Sequence, residues 1–107
     1  MIKENIKKRI IDTLRPVHPD EIILFGSQCY GTPNENSDID LFVIMDIPVN
    51  EVRKMRLRIK KILWLEFKDE NIHFDILVDS KKRIYDRINI GDLFYEEIYN
   101  KGQIIYA

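Results

Sequence analysis

Two short apolar runs, separated by a polar stretch with glycine and proline, constrain the fold of this chain most strongly. The first run, 21–25, ends in Gly26-Ser27, and the second opens with Asp38 and Asp40, one residue apart. Apolar runs of this length between such breakers are typical of strands. Because side chains alternate across a strand, Asp38 and Asp40 share one face. The sequence therefore predicts strand, turn, strand, with two carboxylates on one face.

This carboxylate pair and the preceding Gly26-Ser27 have complementary chemistry. Like charges side by side on a sheet repel unless a cation lies between them, and carboxylate oxygens suit hard divalent ions. A glycine and a hydroxyl residue at the end of a strand can present backbone N–H groups to an anion. The stretch is therefore typical of a site for a metal-bound polyphosphate.

Periodicity outlines the rest of the chain. Apolar residues recur three or four apart in two segments, which indicates amphipathic helices, the first stopped by Pro16 and the second with Asn50 as its candidate cap. Alternation predicts a third strand with Phe74 on one face and Asp75 on the other. Gly102 is the expected stop of the last helix. The predicted elements are helices over 2 to about 15 and 50 to about 67, strands over 21–25, 39–45 and 73–78, helices around 84–88 and over 92–100, and a last strand over 103–106.

The connections predict how the strands pair. The helix between the second and third strands is long enough for a crossover that makes them parallel, whereas the short turn between the first two favours an antiparallel pair. Asp75 then starts the strand beside Asp40, at the end of the sheet where Gly26 closes the first strand. We therefore expect an α/β (α+β) fold with a small mixed sheet, helices packed against it, and Asp38, Asp40 and Asp75 meeting at one end.

Length and composition exclude several classes of protein. With 107 residues the chain is expected to form one domain over 1–107, without a separate substrate-binding domain. Seventeen basic and eighteen acidic residues give a net charge of −1, which argues against nucleic acid as a partner. Cys29 is the one cysteine, and the N-terminus has no apolar signal region. The longest apolar run, 41–45, is far shorter than a membrane span, so we expect a cytoplasmic protein with no membrane partner.

Three other features have both a functional and a structural interpretation. Six basic residues within nine positions of the second helix form either a docking face for a partner or RNA, or a solvated surface. Tyr95 and Tyr99, one helical turn apart, mark either a partner surface or core packing. His18, in a loop, is interpreted as a solvated residue rather than a ligand. The six basic residues are Arg53, Lys54, Arg56, Arg58, Lys60 and Lys61.

The spacing of the motifs resembles the active-site signature of the DNA polymerase β-like nucleotidyltransferases, most closely the minimal members of that superfamily. The family pattern is a Gly-Ser pair, ten residues and Asp-x-Asp, and here ten residues separate Gly26-Ser27 from Asp38 and Asp40. Many members have an arginine just before the second glycine, where this chain has Tyr30. The resemblance implies the nucleotidyltransferase fold.

For function, the resemblance implies transfer of a nucleoside monophosphate, AMP from ATP, to a hydroxyl of a partner protein. Asp38 and Asp40 would hold two Mg²⁺ ions. Asp75 would bind the ion at the acceptor oxygen and help to remove its proton, and Gly26-Ser27 would hold the triphosphate. Similar minimal members are antitoxins that pair with a HEPN-domain ribonuclease toxin and can modify one of its tyrosines, so a HEPN-domain toxin is the expected partner.

Two alternatives remain open at this point. Tyr30 in place of the arginine is compatible with a non-catalytic antitoxin that neutralises the toxin by binding alone. An RNA-binding module built on the basic second helix is disfavoured, because no aromatic residue is interleaved among its charges.

Overall fold

Four strands and four α-helices make up the part of the chain that the computed structural model describes, residues 3–26, 38–70 and 72–107. In chain order they are α1 (Glu4–Leu14), β1 (Glu21–Phe25), β2 (Ile39–Met45), α2 (Val52–Phe67), β3 (Phe74–Ser80), α3 (Lys81–Asn89), α4 (Leu93–Lys101) and β4 (Gln103–Tyr106). Short 3₁₀ turns flank α1 and α2. Within these ranges, no helix has the length and apolar character needed to cross a membrane.

The strands form one mixed sheet in the order β3-β2-β1-β4. β1 runs antiparallel to β2, with Phe25 opposite Asp40, and β3 runs parallel to β2, with Asp75 opposite Asp40. The 16 residues of α2 connect β2 to β3 and provide the crossover that a parallel pair requires. β4 pairs antiparallel with β1 on the other side. The predicted fold class and both strand pairings are confirmed.

α1 and α2 cover one face of the sheet. Their apolar stripes are buried, with Ile10 and Leu14 from α1 and Ile59 and Leu63 from α2 packed against Leu41 and its neighbours. Replacing a fully buried leucine such as Leu63 with alanine would cost about 2–5 kcal/mol of stability. This layer therefore fixes the sheet on which the carboxylates lie.

Arg9 joins α1 to the end of α2. Its guanidinium lies 3.1 Å from Oε1 of Glu66 and 2.6 Å from Oε1 of Glu70, and 4.4 Å from the centroid of the Phe67 ring. The acidic residues at the end of α2 are therefore engaged within the fold.

α3 and α4 cover the opposite face of the sheet. Ile84 and Ile98 pack on Ile23, Phe42 and Ile44 in a second apolar cluster. The helix predicted around 84–88 begins earlier than expected, because the hydroxyl of the preceding serine accepts a hydrogen bond of 3.2 Å from a backbone N–H in the first turn.

Tyr95 and Tyr99 face the sheet and pack, partly buried, on this second cluster. The Tyr95 hydroxyl donates a hydrogen bond to Oδ2 of Asp79, and the Tyr99 hydroxyl donates one to Oε2 of Glu21, each 2.8 Å long. Their one-turn spacing therefore serves packing within the fold, and a role of the pair in a partner surface stays a prediction.

Two predicted helix boundaries have a different physical cause in the structure. Asn50 does not cap α2, because it lies inside a 3₁₀ turn in which the Glu51 N–H donates to the Pro48 carbonyl at 2.9 Å. Gly102 does end α4, but its backbone is extended, with φ −72°, rather than left-handed. A Cβ at Gly102 would overlap the carbonyl of Ile98, so close approach of the chain explains the glycine.

Candidate active site

Asp40 and Asp75 lie side by side at one end of the sheet. Their Cα atoms are partners in the parallel register of β2 and β3. Phe42 and Leu77, two residues further along each strand, pack in the cluster beneath α3 and α4, so both carboxylates lie on that same face. The predicted meeting of these two aspartates is confirmed.

Asp38 lies immediately before β2 and is exposed. The next residue, Ile39, donates its backbone N–H to the carbonyl of His73 at 2.9 Å, which continues the strand pairing to the very start of β2. Asp38 is thereby held near the same end of the sheet as the other two aspartates.

Gly26 follows β1 directly beside Asp40. Its φ is +75°, in the left-handed region that favours glycine. A Cβ built on Gly26 would overlap Oδ2 of Asp40. The sequence indicated that Gly26 suits an anion. In the structure, Gly26 also leaves the space in which the Asp40 carboxylate lies.

Burial and the neighbouring carboxylates change the pKa of Asp40. Burial raises the pKa of the Asp40 carboxyl above its ordinary value, and the negative charges of Asp75 and then Asp38 raise it further. Strand register therefore places Asp40 beside Asp75, and the charge of Asp38 also acts on Asp40. A cation bound among them would remove the repulsion.

The donor atoms suit a hard divalent cation, although they are not arranged as a ready-made cage. Across residues 3–26, 38–70 and 72–107, no three Asp, Glu, His or Cys side chains are grouped so that they could hold a metal ion. Asp38 and Asp75 are exposed, so their carboxylates are free to rotate toward Asp40. Oxygen donors of this kind suit Mg²⁺, which retains several waters and takes one or two carboxylates. The residues fit the ion that the resemblance implies.

Aromatic side chains form a wall beside the carboxylates. Phe25, opposite Asp40 in the register of β1 and β2, contacts Phe94 of α4 edge to face, with ring centroids 6.4 Å apart. Phe94 contacts Tyr95 at 5.8 Å, and Tyr95 contacts Phe42 at 5.7 Å. Phe94 remains 50% exposed. The wall therefore offers an accessible aromatic ring close to Asp40.

Asp79, which sequence reasoning did not single out, is buried on the same face of β3. Its Oδ2 accepts a hydrogen bond from the Tyr95 hydroxyl at 2.8 Å and lies 3.4 Å from Nε of Arg83, and its Oδ1 accepts the Ser80 N–H at 2.8 Å. β3 continues two residues beyond its predicted end, because Asp79 and Ser80 still pair with Ile44 and Met45 of β2. The available signal was the even spacing from Asp75, which puts both on one face.

Three other residues that the sequence analysis singled out are Ser27, Tyr30 and His18. Ser27 and Tyr30 lie outside the described residues, so the phosphate contact of Ser27 stays a prediction. His18 is exposed in the loop before β1, in agreement with its interpretation as a solvated residue.

The mixed sheet has an aspartate pair at the start of a central strand, a glycine turn beside it and a third aspartate on the neighbouring strand. This arrangement defines the core of a nucleotidyltransferase. The chain belongs to the nucleotidyltransferase domain family, whose family model matches residues 4–105. The resemblance that the Gly-Ser and Asp-x-Asp spacing indicated is thereby confirmed.

Two solved structures share this fold. A crystal structure of a toxin–antitoxin with AMP-PNP has a TM-score of 0.60 at 22% identity, and the match covers 94% of this chain and 73% of that chain. A mutant of the toxin–antitoxin MntA-HpeT, with two aspartates two positions apart replaced by glutamate, has a TM-score of 0.59 at 20% identity and the same coverage. At these identities the likeness shows the fold. No curated protein matches the chain in sequence.

Proposed function

We propose that this chain transfers AMP from ATP to a hydroxyl of a partner protein, a HEPN-domain toxin, and so acts as its antitoxin. The observation that carries the proposal is the position of Asp40, which has Gly26 against its carboxylate and Asp75 opposite it in the parallel register. Asp40 therefore lies between Gly26, which suits a phosphate group, and Asp75, whose carboxylate suits an acceptor hydroxyl.

The nucleotide side of the site is formed by the turn after β1 and by the aspartate pair. Gly26 has no side chain to block an approaching phosphate, and Ser27 would add its hydroxyl and backbone N–H. Asp38 and Asp40 would hold two Mg²⁺ ions, whose bound charge would neutralise the triphosphate and stabilise the attacking and leaving oxygens. Burial and then the charges of Asp75 and Asp38 raise the pKa of Asp40, and a cation bound beside it would offset both effects, which supports this assignment.

On the acceptor side, Asp75 is the carboxylate placed to act as a base. In the transfer, the acceptor oxygen forms a bond to the α-phosphorus, and the bond between the α-phosphorus and the bridging oxygen breaks to release pyrophosphate. The hydroxyl proton passes to Asp75, a contribution that is typically 10²–10⁴-fold in rate. Asp75 is exposed, so a hydroxyl on another protein can approach it.

The comparisons support the choice of partner. Two solved structures that match this chain are toxin–antitoxin proteins, one of them with AMP-PNP. The resemblance to minimal nucleotidyltransferases adds a HEPN-domain toxin as the acceptor.

Isotope transfer tests the proposal. ATP labelled at its α-phosphorus should label a HEPN-domain toxin that forms a complex with this chain, in the presence of Mg²⁺, whereas ATP labelled at its γ-phosphorus should not. Label from the γ-phosphorus would instead show a kinase reaction, and label from neither would contradict nucleotidyl transfer.

A binding antitoxin without catalysis is the second candidate. It is favoured by the arrangement of the aspartates, which form no ready-made metal cage in the described part of the chain. In that case the toxin would be neutralised equally well by variants that lack the aspartates.

A further inference from the structure

A groove of about 470 Å³ lies between α2 and β3, on the face of the sheet opposite Asp40. Its walls are apolar and include Trp64 of α2 together with Ile72 and Phe74 at the start of β3, and Lys60 and Lys61 line it as well. Trp64 is 62% exposed, an unusual state for a side chain of this size. The groove therefore combines an apolar wall with two cationic groups.

The groove carries a positive charge that the fold does not neutralise. None of the six basic residues between positions 53 and 61 has an ion pair within the described ranges. Glu66, the one acidic residue of α2, is bonded to Arg9. Because the whole chain has a net charge of −1, this positive surface is a local feature suited to an acidic partner.

The groove runs along a free strand edge. In the part of the chain that the structure describes, β3 pairs with β2 alone and is the edge of the sheet. Edge strands bind extended peptides through their main chain, and neighbouring pockets take alternate side chains. The surface is thus suited to an extended segment with an apolar anchor.

The same edge connects the groove to the candidate active site. Phe74 lines the groove, and the next residue, Asp75, lies on the opposite face beside Asp40. A protein segment that occupies the groove and crosses the start of β3 therefore comes close to Asp75.

We propose that the α2–β3 groove binds an acidic, extended segment of the partner protein. An apolar side chain of that segment packs against Trp64, and its carboxylates pair with Lys60 and Lys61. This inference rests on the proposed function in one respect, since it takes the acceptor protein as the occupant and gives the groove the role of holding the acceptor hydroxyl near Asp75.

Protein is favoured over RNA as the occupant. Single-stranded RNA is bound by several stacked aromatic residues along a basic channel. The groove has aromatic side chains in Trp64, Phe74 and His73, but it lies beside a free strand edge, which suits a polypeptide main chain, and the net charge of the chain is negative.

The test separates docking from chemistry by kinetics and calorimetry with an intact HEPN-domain toxin that forms a complex with this chain. Trp64→Ala and the double variant Lys60→Glu, Lys61→Glu should each raise the KM for the toxin at least about tenfold, as truncation of a binding hot spot does, while kcat stays within about twofold. Calorimetry without ATP should show the same loss of affinity. Leu65→Ala and the double variant Lys81→Glu, Lys82→Glu are matched controls, because these side chains are exposed and do not line the groove.

The outcomes distinguish this inference from the proposed function. Unchanged KM and unchanged affinity in both groove variants, with transfer intact, would overturn the groove assignment and leave the function standing. Weakened complexes in the groove variants, with no transfer by the wild type, would support the groove and contradict the enzyme. Loss of RNA binding in the lysine variant, with toxin affinity unchanged, would overturn the inference in favour of RNA.

Discussion

Gly26 lies against the carboxylate of Asp40, with no space between them for a side chain. The two residues come from different strands, one from the end of β1 and the other from near the start of β2. A glycine is required there for its left-handed backbone and also for the position of the carboxylate beside it.

The first prediction separates these two requirements. Gly26→Ala and Gly91→Ala both place a side chain at a positive φ, which costs about 1–2 kcal/mol in each case. A Cβ on Gly26 would push the Asp40 carboxylate aside, whereas one on Gly91 would meet nothing within 4 Å in the described ranges. The two variants should therefore unfold at similar urea concentrations, and only Gly26→Ala should lose affinity for ATP with Mg²⁺, by at least about tenfold, in calorimetry.

Equal affinities of the two glycine variants for ATP would contradict this account of Gly26. The double variant Gly26→Ala, Asp40→Ala provides an internal check, because removing the carboxylate should abolish the extra effect of the alanine.

The second prediction concerns the charge of Asp40. Because its pKa is raised in the folded state, the fold favours the protonated form, and stability decreases as the pH rises through that pKa. Asp40→Asn should therefore raise Tm at neutral pH, by less than about 4 °C for a screened interaction of less than about 1 kcal/mol. The difference should disappear only below the ordinary aspartate pKa of 3.8, where Asp40 is protonated in both the folded and the unfolded chain.

Mg²⁺ with ATP should raise the Tm of the wild type and have much less effect on Asp40→Asn. Asp69→Asn, which removes an exposed carboxylate after α2, should behave like the wild type. A stabilisation by Mg²⁺ with ATP that is the same in all three proteins would exclude Asp40 as a ligand.

A third prediction follows from the hydrogen bond between Tyr95 and Asp79. Burial, together with the Asp79 hydrogen bond and charge, raises the pKa of Tyr95 to about 12, so stability should be lost as the pH rises from about 10, the ordinary value for tyrosine, toward 12. Tyr95→Phe should show a shallower loss over that range. At neutral pH it should lower the free energy of unfolding by about 1.5–3 kcal/mol, because the phenol bonds a buried carboxylate.

Tyr99→Phe is the matched variant for this measurement. Tyr99 bonds Glu21, which is only half-buried, so its loss should cost less than that of Tyr95 in urea unfolding at pH 7. A larger cost for Tyr99→Phe would show that the Asp79 contact is not the stronger of the two.

Much of the fold could be predicted from local patterns, because the short strands and amphipathic helices have clear periodicities and the connection lengths determine the pairing. The alternation in β2 and β3 also predicted the faces of Asp40 and Asp75 correctly. Contacts between distant segments could not be predicted in this way. The bond between Asp79 and Tyr95 joins β3 to α4, and without it Asp79 resembles a turn residue and Tyr95 resembles a surface residue.

The ends of the helices also depend on contacts that the local sequence pattern does not reveal. Asn50 has the right side chain for a cap, but the Pro48 carbonyl forms a 3₁₀ turn that moves the start of α2 past it. Gly102 was correctly expected to end the last helix, but the sequence pattern did not show that the close approach of the Ile98 carbonyl requires a glycine there.

Transfer of AMP to the partner would be seen as an increase in the mass of the partner. The HEPN-domain toxin is incubated with this chain, ATP and Mg²⁺, and the masses of both intact proteins are measured by mass spectrometry. Asp75→Asn is nearly isosteric and should slow the transfer by about 10²–10⁴-fold while the complex still forms. Asp86→Asn, on the exposed side of α3, should leave the rate unchanged.

With the wild type and with Asp86→Asn, the toxin should gain the mass of one or more AMP groups, while this chain gains none. With Asp75→Asn, the toxin should stay unmodified over the same time. In cells, Asp75→Asn should then fail to neutralise the toxin. An unmodified toxin with the wild type, together with full neutralisation by Asp75→Asn, would contradict the transferase and leave an antitoxin that acts by binding.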